Sequence, residues 1–474
     1  MPEQAESKKG DSVDVATLKE SIREAEAMMR TTDAIFDLEA QLHAIAQGKV
    51  DGLKLTPREK KIIRNAELEK MMIRKRQLQR DVDNRIADYK NRGVAQRVLR
   101  VATSPRALQS TADMSAVLRQ GLWLVLNRPQ DFPAAFLGAL RATFDENAQD
   151  EIAIGIENHP NYLDLVHADL KIVQLDGKPT NAEDDFVTNA AERIPGWGPV
   201  VRASNRNMIT FLNIMRTEAF NAWMDAHPDM SLDEKKAVAN MINLMSGRGN
   251  LGKAEAAIMS WNAVFYAPRW TVSRYTILAA PFTSFKHPEA RKFVAQAFGK
   301  YIGAQFALLS LAKILGLEVG DDPEDWTFMR IKIGKTWYDF TGGMNQPIRL
   351  VALLGKGLLR GTGWVTFSKN YDPMRTALQM ARYKLSPTVT IPVELASGKD
   401  WRGEDVEVWE TGMRAVMPIT LASVTENVFM RPDVEIEEAV MPALSEFFGA
   451  PATTPEPKSR RSTSPPRPRG PRNR

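Results

Sequence analysis

Asp233-Glu-Lys-Lys-Ala-Val-Ala-Asn-Met-Ile-Asn-Leu-Met245, followed after one serine by Gly247-Arg-Gly-Asn-Leu-Gly252, is the stretch on which the fold class turns. The six residues from Gly247 match the dinucleotide-binding fingerprint letter for letter. That fingerprint acts only where its glycines follow a strand and open a helix, so that backbone N–H groups meet a pyrophosphate. Here Val238 to Met245 carries apolar residues at helical spacing, so the element before the glycines is a helix. The glycines then read as a helix-to-helix turn, and the segment argues for an α-helical body.

Working outward, the same periodicity dominates the chain. Residues 204–226 read as a long helix. Near the N-terminus, Leu18, Ile22, Ala25 and Met29 form an apolar stripe that continues through Ile35, Leu38, Leu42 and Ile45. Gly48-Lys-Val-Asp-Gly52 turns the chain. Thr56-Pro57-Arg58-Glu59 opens a second helix as a capping box with proline in the first turn. We therefore expect a helical hairpin arm over 15–92, preceded by a disordered stretch over 1–14. A helical body follows over 93–320. Within it, Leu165 to Leu175 is permissive for a strand, and Arg193-Ile-Pro-Gly-Trp-Gly-Pro199 reads as an ordered loop.

At Asp321-Asp322-Pro323 the character changes. Phe328 to Phe340 reads as two short strands joined by Gly334-Lys335, a β-hairpin insertion in a glycine-rich α region spanning 321–450. A helix resumes near 374–383. From Pro451 to Arg474 the chain is rich in Pro, Ser, Thr and Arg and too poor in apolar residues to fold, so it reads as a disordered tail. The expected fold class is mainly α: a multi-helix body with an N-terminal hairpin, one small β-hairpin and a disordered C-terminal tail.

The absence of cysteine excludes disulfides, zinc–thiolate sites and iron–sulfur clusters. The net charge of +5 belongs to the tail, which carries seven Lys or Arg against one Glu and leaves the body near −1. Inside the body, Lys54 to Arg100 holds 15 basic and 6 acidic residues, whereas Asp145 to Glu192 holds 12 acidic and 2 basic. Either these segments face each other or one of them faces a polyanion. No stretch reaches the roughly 20 apolar residues of a membrane span. The nearest, Tyr301 to Ala312 between Lys300 and Lys313, reads as a core helix, with membrane-surface binding as the alternative.

Most candidate chemistry reduces to structure. Gly334-Lys335-Thr336 ends like a phosphate loop, but the required first glycine would be Met329. Of the five histidines none forms an i, i+4 pair, and His159 and His167, eight residues apart with Asp164 and Asp169 near them, make a poor metal site. Asp184-Asp185 and Asp321-Asp322 read as solvated or helix-starting acids. We assign no catalytic, cofactor-binding or metal-binding residue. Arg119, Arg216, Arg269, Arg274, Arg349 and Arg382 sit in apolar surroundings and need partners, with Asp113, Glu218 and Asp339 or backbone carbonyls as candidates. They read as structural pins, or else as contacts to DNA phosphate or another protein. Trp261, Phe265, Tyr266, Trp270 and Tyr275 read as core packing or as a membrane-interface belt. The nucleic-acid-binding candidates are the tail cations Lys458, Arg460, Arg461, Arg467, Arg469, Arg472 and Arg474, a flexible arm suited to sequence-independent DNA contact.

Five short signatures recur around breakers and charges: Asp113-Met-Ser-Ala-Val-Leu-Arg-Gln-Gly121, Gly247-Arg-Gly-Asn-Leu-Gly252, Phe265-Tyr-Ala-Pro-Arg-Trp-Thr-Val-Ser-Arg274, Tyr338-Asp-Phe-Thr-Gly-Gly343 and Arg382-Tyr-Lys-Leu-Ser-Pro387. In this order they resemble a family of large tailed-phage and prophage proteins called polyvalent proteins, over residues 95–430. The resemblance implies a non-enzymatic internal virion or ejection-type protein. Such a protein is delivered with the genome and resides in the virion interior, or in the host cytoplasm during assembly or after ejection. Its partners would be other virion proteins, packaged DNA through the tail, further copies of the chain and, peripherally, a membrane. Two alternatives stay open: an accessory module or remnant of a larger polyvalent enzyme, and a membrane-active ejection component.

Overall fold

A computed structural model of the chain describes residues 116–172, 198–252, 264–283, 286–359, 384–398 and 436–454, with single positions at 78 and 261. The segment 1–14, the arm expected over 15–92, the acidic pair at 184–185, the helix expected at 374–383 and the tail beyond 454 lie outside the described residues. The described part is mainly helical, as the periodicity predicts.

A five-residue π-helical turn, Ala116–Gln120, leads into α1 (Leu122–Asn127). After a short turn at Pro129–Asp131 come α2 (Phe132–Phe144), α3 (Glu146–Glu157) and α4 (Tyr162–His167). Then follow α5 (Gly198–Ala226), α6 (Leu232–Met245), α7 (Pro268–Thr283) and α8 (Pro288–Ile314). Strand β1 (Glu318–Val319) precedes the hairpin of β2 (Ile331–Ile333) and β3 (Thr336–Tyr338). Helices α9 (Asn345–Leu359), α10 (Pro387–Ser397) and α11 (Ile436–Phe447) and strand β4 (Ala452–Thr453) complete the set.

Local chemistry sets several boundaries. Helix α3 starts at Asp145, whose carboxylate accepts from the Asn147 N–H at 3.0 Å. Helix α6 starts with a full capping box, Ser231 with Glu234. It ends in a Schellman turn: Gly247 N–H bonds to the Leu244 carbonyl and Arg248 N–H to that of Asn243. The glycines of the fingerprint therefore terminate a helix, as the preceding apolar spacing requires.

Helix α5 is the spine. Its Phe211, Leu212, Met215 and Phe220 belong to one core with Val238, Ile242 and Met245 of α6, Ile277 of α7 and Phe293, Val294 and Ala297 of α8. Helix α2 meets α5 through Ala135, Ala139 and Ala142, all buried. A side chain added at Gly138 would reach within 3.0 Å of Ile214. Trp123 of α1 stacks on Tyr301 of α8, with ring centres 4.0 Å apart and planes 1° from parallel. The acidic stretch is met by cations of the body: Glu146 by Arg206, Glu151 by Arg141 and Asp164 by Lys235, each at 2.7–2.8 Å.

Four expectations need correction. Gly198 and Pro199, expected in a loop, open α5, because proline is tolerated in a first turn. The strand-permissive stretch starts as the end of α4, and its Leu170–Ile172 joins no sheet. Instead the Lys171 N–H donates to the Asn243 side chain at 2.8 Å. The hairpin with its Gly334-Lys335 turn is the middle of a four-stranded antiparallel sheet in the order β1-β2-β3-β4. Ala452 and Thr453, assigned to the tail by composition, are its edge, paired with Tyr338 and Trp337. Backbone pairing needs no apolar side chain, so composition is blind to it. Finally, the apolar run in α8 is buried on one side only. Tyr301, Gln305 and Ala312 face in, while Ile302 is 60 % exposed, Phe306 73 % and Leu311 53 %. Among the described residues no helix is long and apolar enough to cross a membrane.

Candidate functional site

The described parts of all five signatures meet around one indole, that of Trp270. Gly247 sits at φ +86°, and a Cβ there would lie 2.8 Å from Trp270 Cδ1. Gly343 sits at φ +79°, and its Cβ would run into Cζ2 and Cη2 at the far side of the same ring. Only glycine combines that backbone with room for the indole. Two signatures nearly a hundred residues apart thus serve one aromatic side chain. Between them the backbone of Gly249 lies against α7, its N–H donating to the Arg269 carbonyl at 3.2 Å.

The third signature supplies the ring and a buried cation. Arg274 is 1 % exposed. Its Nη1 donates to the Met245 carbonyl at 3.2 Å, and its Nη2 to the carbonyls of Arg119 at 2.8 Å and Gln120 at 3.4 Å. One guanidinium therefore joins the end of α6, the π turn and α7. Helix termini leave carbonyls without intrahelical partners, and the planar guanidinium fork fits them. The guanidinium carbon also lies 5.3 Å from the Trp270 ring centre. Just ahead of α7, Ala267 holds φ +49°, a left-handed conformation unfavourable for alanine.

The fifth signature pairs with the third. Phe265 and Leu385 form an antiparallel bridge. Tyr266 N–H donates to the Lys384 carbonyl at 2.6 Å and Ser386 N–H to that of Val264 at 2.8 Å. Helices α7, at Pro268, and α10, at Pro387, thereby begin at opposite ends of this short antiparallel pairing. The ammonium of Lys384 lies 4.6 Å from the Trp270 ring centre. The fourth signature is clamped by α8: the Tyr301 hydroxyl donates to the Thr341 carbonyl at 2.9 Å, and Gln305 Nε2 to that of Phe340 at 3.1 Å. Asp339 accepts from the N–H and hydroxyl of Thr341, and the Thr341 hydroxyl accepts from Asn345 N–H at the start of α9.

Burial and charge perturb the groups here. Burial holds Arg274 down to about 10. Burial, then the positive charges of Arg119 and Arg274, push Lys384 down to about 8. Burial, then Asp339, raises Tyr301 above the usual phenol range. The hub is cationic and aromatic.

The other sequence candidates lie apart. Arg216 bonds Ser246 Oγ and the Lys171 carbonyl, and Arg349 the carbonyls of Pro323 and Glu324. These arginines are pins, as expected, but the bonds run to carbonyls and a hydroxyl. Glu218 lies among Asp131, His159, Arg128 and Asp225 instead, with its carboxyl raised chiefly by burial. Asp113 and Arg382 lie outside the described residues. His159 accepts the Asn161 N–H through Nδ1. Among the described residues no three His, Asp or Glu gather as metal ligands would. Asp321 meets Lys313, and Asp322 accepts from Glu324 N–H and meets Lys356. The aromatic cluster is divided, with Trp270 in the hub and Trp261 and Tyr275 partly exposed, at 40 % and 37 %. The seven tail cations from Lys458 to Arg474 lie outside the described residues.

The residue that sequence reasoning missed is Lys384. Attention fell on Arg382, two positions earlier. The available signal was its place two residues ahead of Ser386-Pro387, the start of a helix. Comparisons of the chain with family models, with curated proteins and with solved structures return no match.

Proposed function

We propose that the chain is a phage-derived, non-enzymatic internal virion protein that assembles through a helical surface and contacts packaged DNA through its basic tail. The observation that carries this reading is the outer face of α8. From Gly299 onward α8 and its C-cap bare large apolar side chains, with Lys313 among them: Ile302, Phe306, Leu311, Ile314 and Leu315 are 53–81 % exposed. Five large side chains bared along one helix end approach the largest patch of an ordinary monomer, roughly 300–600 Å². Ile302 with Phe306 and Leu311 with Leu315 are each four residues apart, a spacing at which a helix presents neighbouring side chains to another helix. The resemblance of the five signatures to phage polyvalent proteins supplies the biological context.

Sedimentation velocity of the full chain tests the assembly. Phe306→Glu with Ile314→Glu should leave the monomer folded and move a concentration-dependent oligomer to monomer. A wild-type chain that stays monomeric at about 100 µM, where even weak assemblies form, would remove the reading. Mass spectrometry of purified virions tests the context. The same face favours one second reading, peripheral membrane contact, because Arg291 and Lys292 are exposed on the preceding turns beside the apolar end. Flotation with anionic vesicles, lost in the same double variant, would select that reading.

A further inference from the structure

We propose that the outer face of α8 seats a second copy of the same chain, whose α8 runs antiparallel to the first and crosses it near Phe306. The inference rests on the assembly reading above and names the partner and its direction. It begins with residue size, because the outer face is small in its first half and large in its second. Leu311, Ile314 and Leu315 at the far end are 53–81 % exposed. Gly299 and Gly303, one turn apart, are exposed too, and a Cβ added at either would meet nothing among the described residues within 4 Å. Neither glycine takes a positive φ. Glycine is a poor helix former, and within one copy neither backbone conformation nor crowding calls for it here. Close approach of a second backbone does call for it.

An antiparallel pair fits the two halves together. Ile314 of one copy lies over Gly299 of the other, and Phe306 of each lies near the two-fold axis. A parallel pair would set large on large and hold the helices apart at that end. Area points to the same occupant. The patch on one copy is of the order of 500 Å². Two such patches bury about 1,000 Å² together, the lower bound for a specific interface. Charge does not oppose the contact. Between Gly299 and Ala312 the sole Lys, Arg, Asp or Glu is Lys300, and its ammonium is turned to the Asn127 carbonyl at 2.6 Å. Lys313, beyond them, is met by Asp321 at 3.2 Å. A two-fold contact uses the same patch on both copies, so it closes at a dimer.

The chain has no cysteine, so single cysteines introduced into the full chain report the geometry. A disulfide needs Cα atoms within about 7 Å of each other. Under mild oxidation Ala307→Cys should link to its own copy. Gly299→Cys and Ile314→Cys should each stay unlinked, because identical positions lie about 22 Å apart along the helix axes, and should link to each other when mixed. Gly299→Cys linked to itself would show a parallel pair and overturn the proposal. Sedimentation velocity supplies the second measurement. Gly299→Gln with Gly303→Gln should raise the melting temperature by about 2–4 °C, since glutamine is the better helix former. The same variant should weaken dimerisation about a hundredfold, because overpacking amounts to about tenfold at each site. Unchanged association in that variant would move assembly to another face, overturning this inference while leaving the assembly reading in place. A wild-type chain that stays monomeric, with or without binding to vesicles, removes both.

Discussion

At the scale of single residues, Gly343 and Gly252 make a controlled pair. Both hold positive φ, but a methyl at Gly343 meets the Trp270 ring whereas one at Gly252 meets nothing within 4 Å. Gly252→Ala should therefore lose only the backbone penalty, about 1 kcal/mol. Gly343→Ala adds overpacking and should lose about 2–4 kcal/mol in urea unfolding. Equal losses would mean that the indole is not wedged between the two glycine turns. Lys384 gives a second test, in pH. Its folded affinity for a proton is lower than the ordinary value of 10.5, falling to about 8. Between those values the unfolded chain binds more protons, so this group makes the protein more stable as pH rises from 8 to 10.5. The wild type should gain stability over that window relative to Lys384→Met, and parallel pH profiles would contradict it. At this scale the sequence was partly legible. Arg274 and the glycines announced themselves as a cation in apolar surroundings and as breakers. Lys384 did not, because a lysine beside a helix start is ordinary until a tertiary contact places it on an indole.

At the scale of elements, the periodic signals carried furthest. Helix α6 was legible to within a residue because its apolar spacing and terminal glycine agree. The hairpin was legible from Gly334-Lys335, but β1 and β4 were not. Two-residue strands have no periodicity, and their pairing is decided by backbone groups far apart in sequence. The exposure of α8 was equally hidden, since an apolar run reads the same whether it faces the core or solvent. The cap of α6 offers a clean test. Ser231 accepts the Glu234 N–H, and the Glu234 carboxylate accepts from Ser231 in return. Those bonds hold the Glu234 carboxyl below its ordinary 4.5. Ser231→Ala should lower unfolding stability by about 1 kcal/mol at neutral pH. Because the folded value is the lower one, the carboxylate's share is complete above pH 4.5 and disappears as acid takes the pH through the folded value. The difference between wild type and Ser231→Ala should shrink below pH 4.5; a constant difference would show that the glutamate takes no part.

At the scale of the whole molecule, charge separates the described body from the sequence beyond Thr454. The described acidic helices find cations on α2, α5 and α6, whereas the last twenty residues carry seven cations and one acid. The boundary matters for testing the arm. Composition placed it at Pro451, but Ala452 and Thr453 are β4, and Thr454 meets the Thr336 hydroxyl at 2.7 Å. A truncation at 450 would strip a strand from the sheet and confuse lost folding with lost charge. A chain ending at Thr454 keeps the sheet and removes Lys458, Arg460, Arg461, Arg467, Arg469, Arg472 and Arg474 together. If about five to seven of these displace counterions from duplex DNA, the logarithm of affinity should fall with the logarithm of salt at a slope of roughly −4 to −6. The shortened chain should keep its melting temperature and lose most of that slope. A slope that survives the truncation would move the DNA contact into the body, where the basic stretch from Lys54 to Arg100 is the next polycation to test.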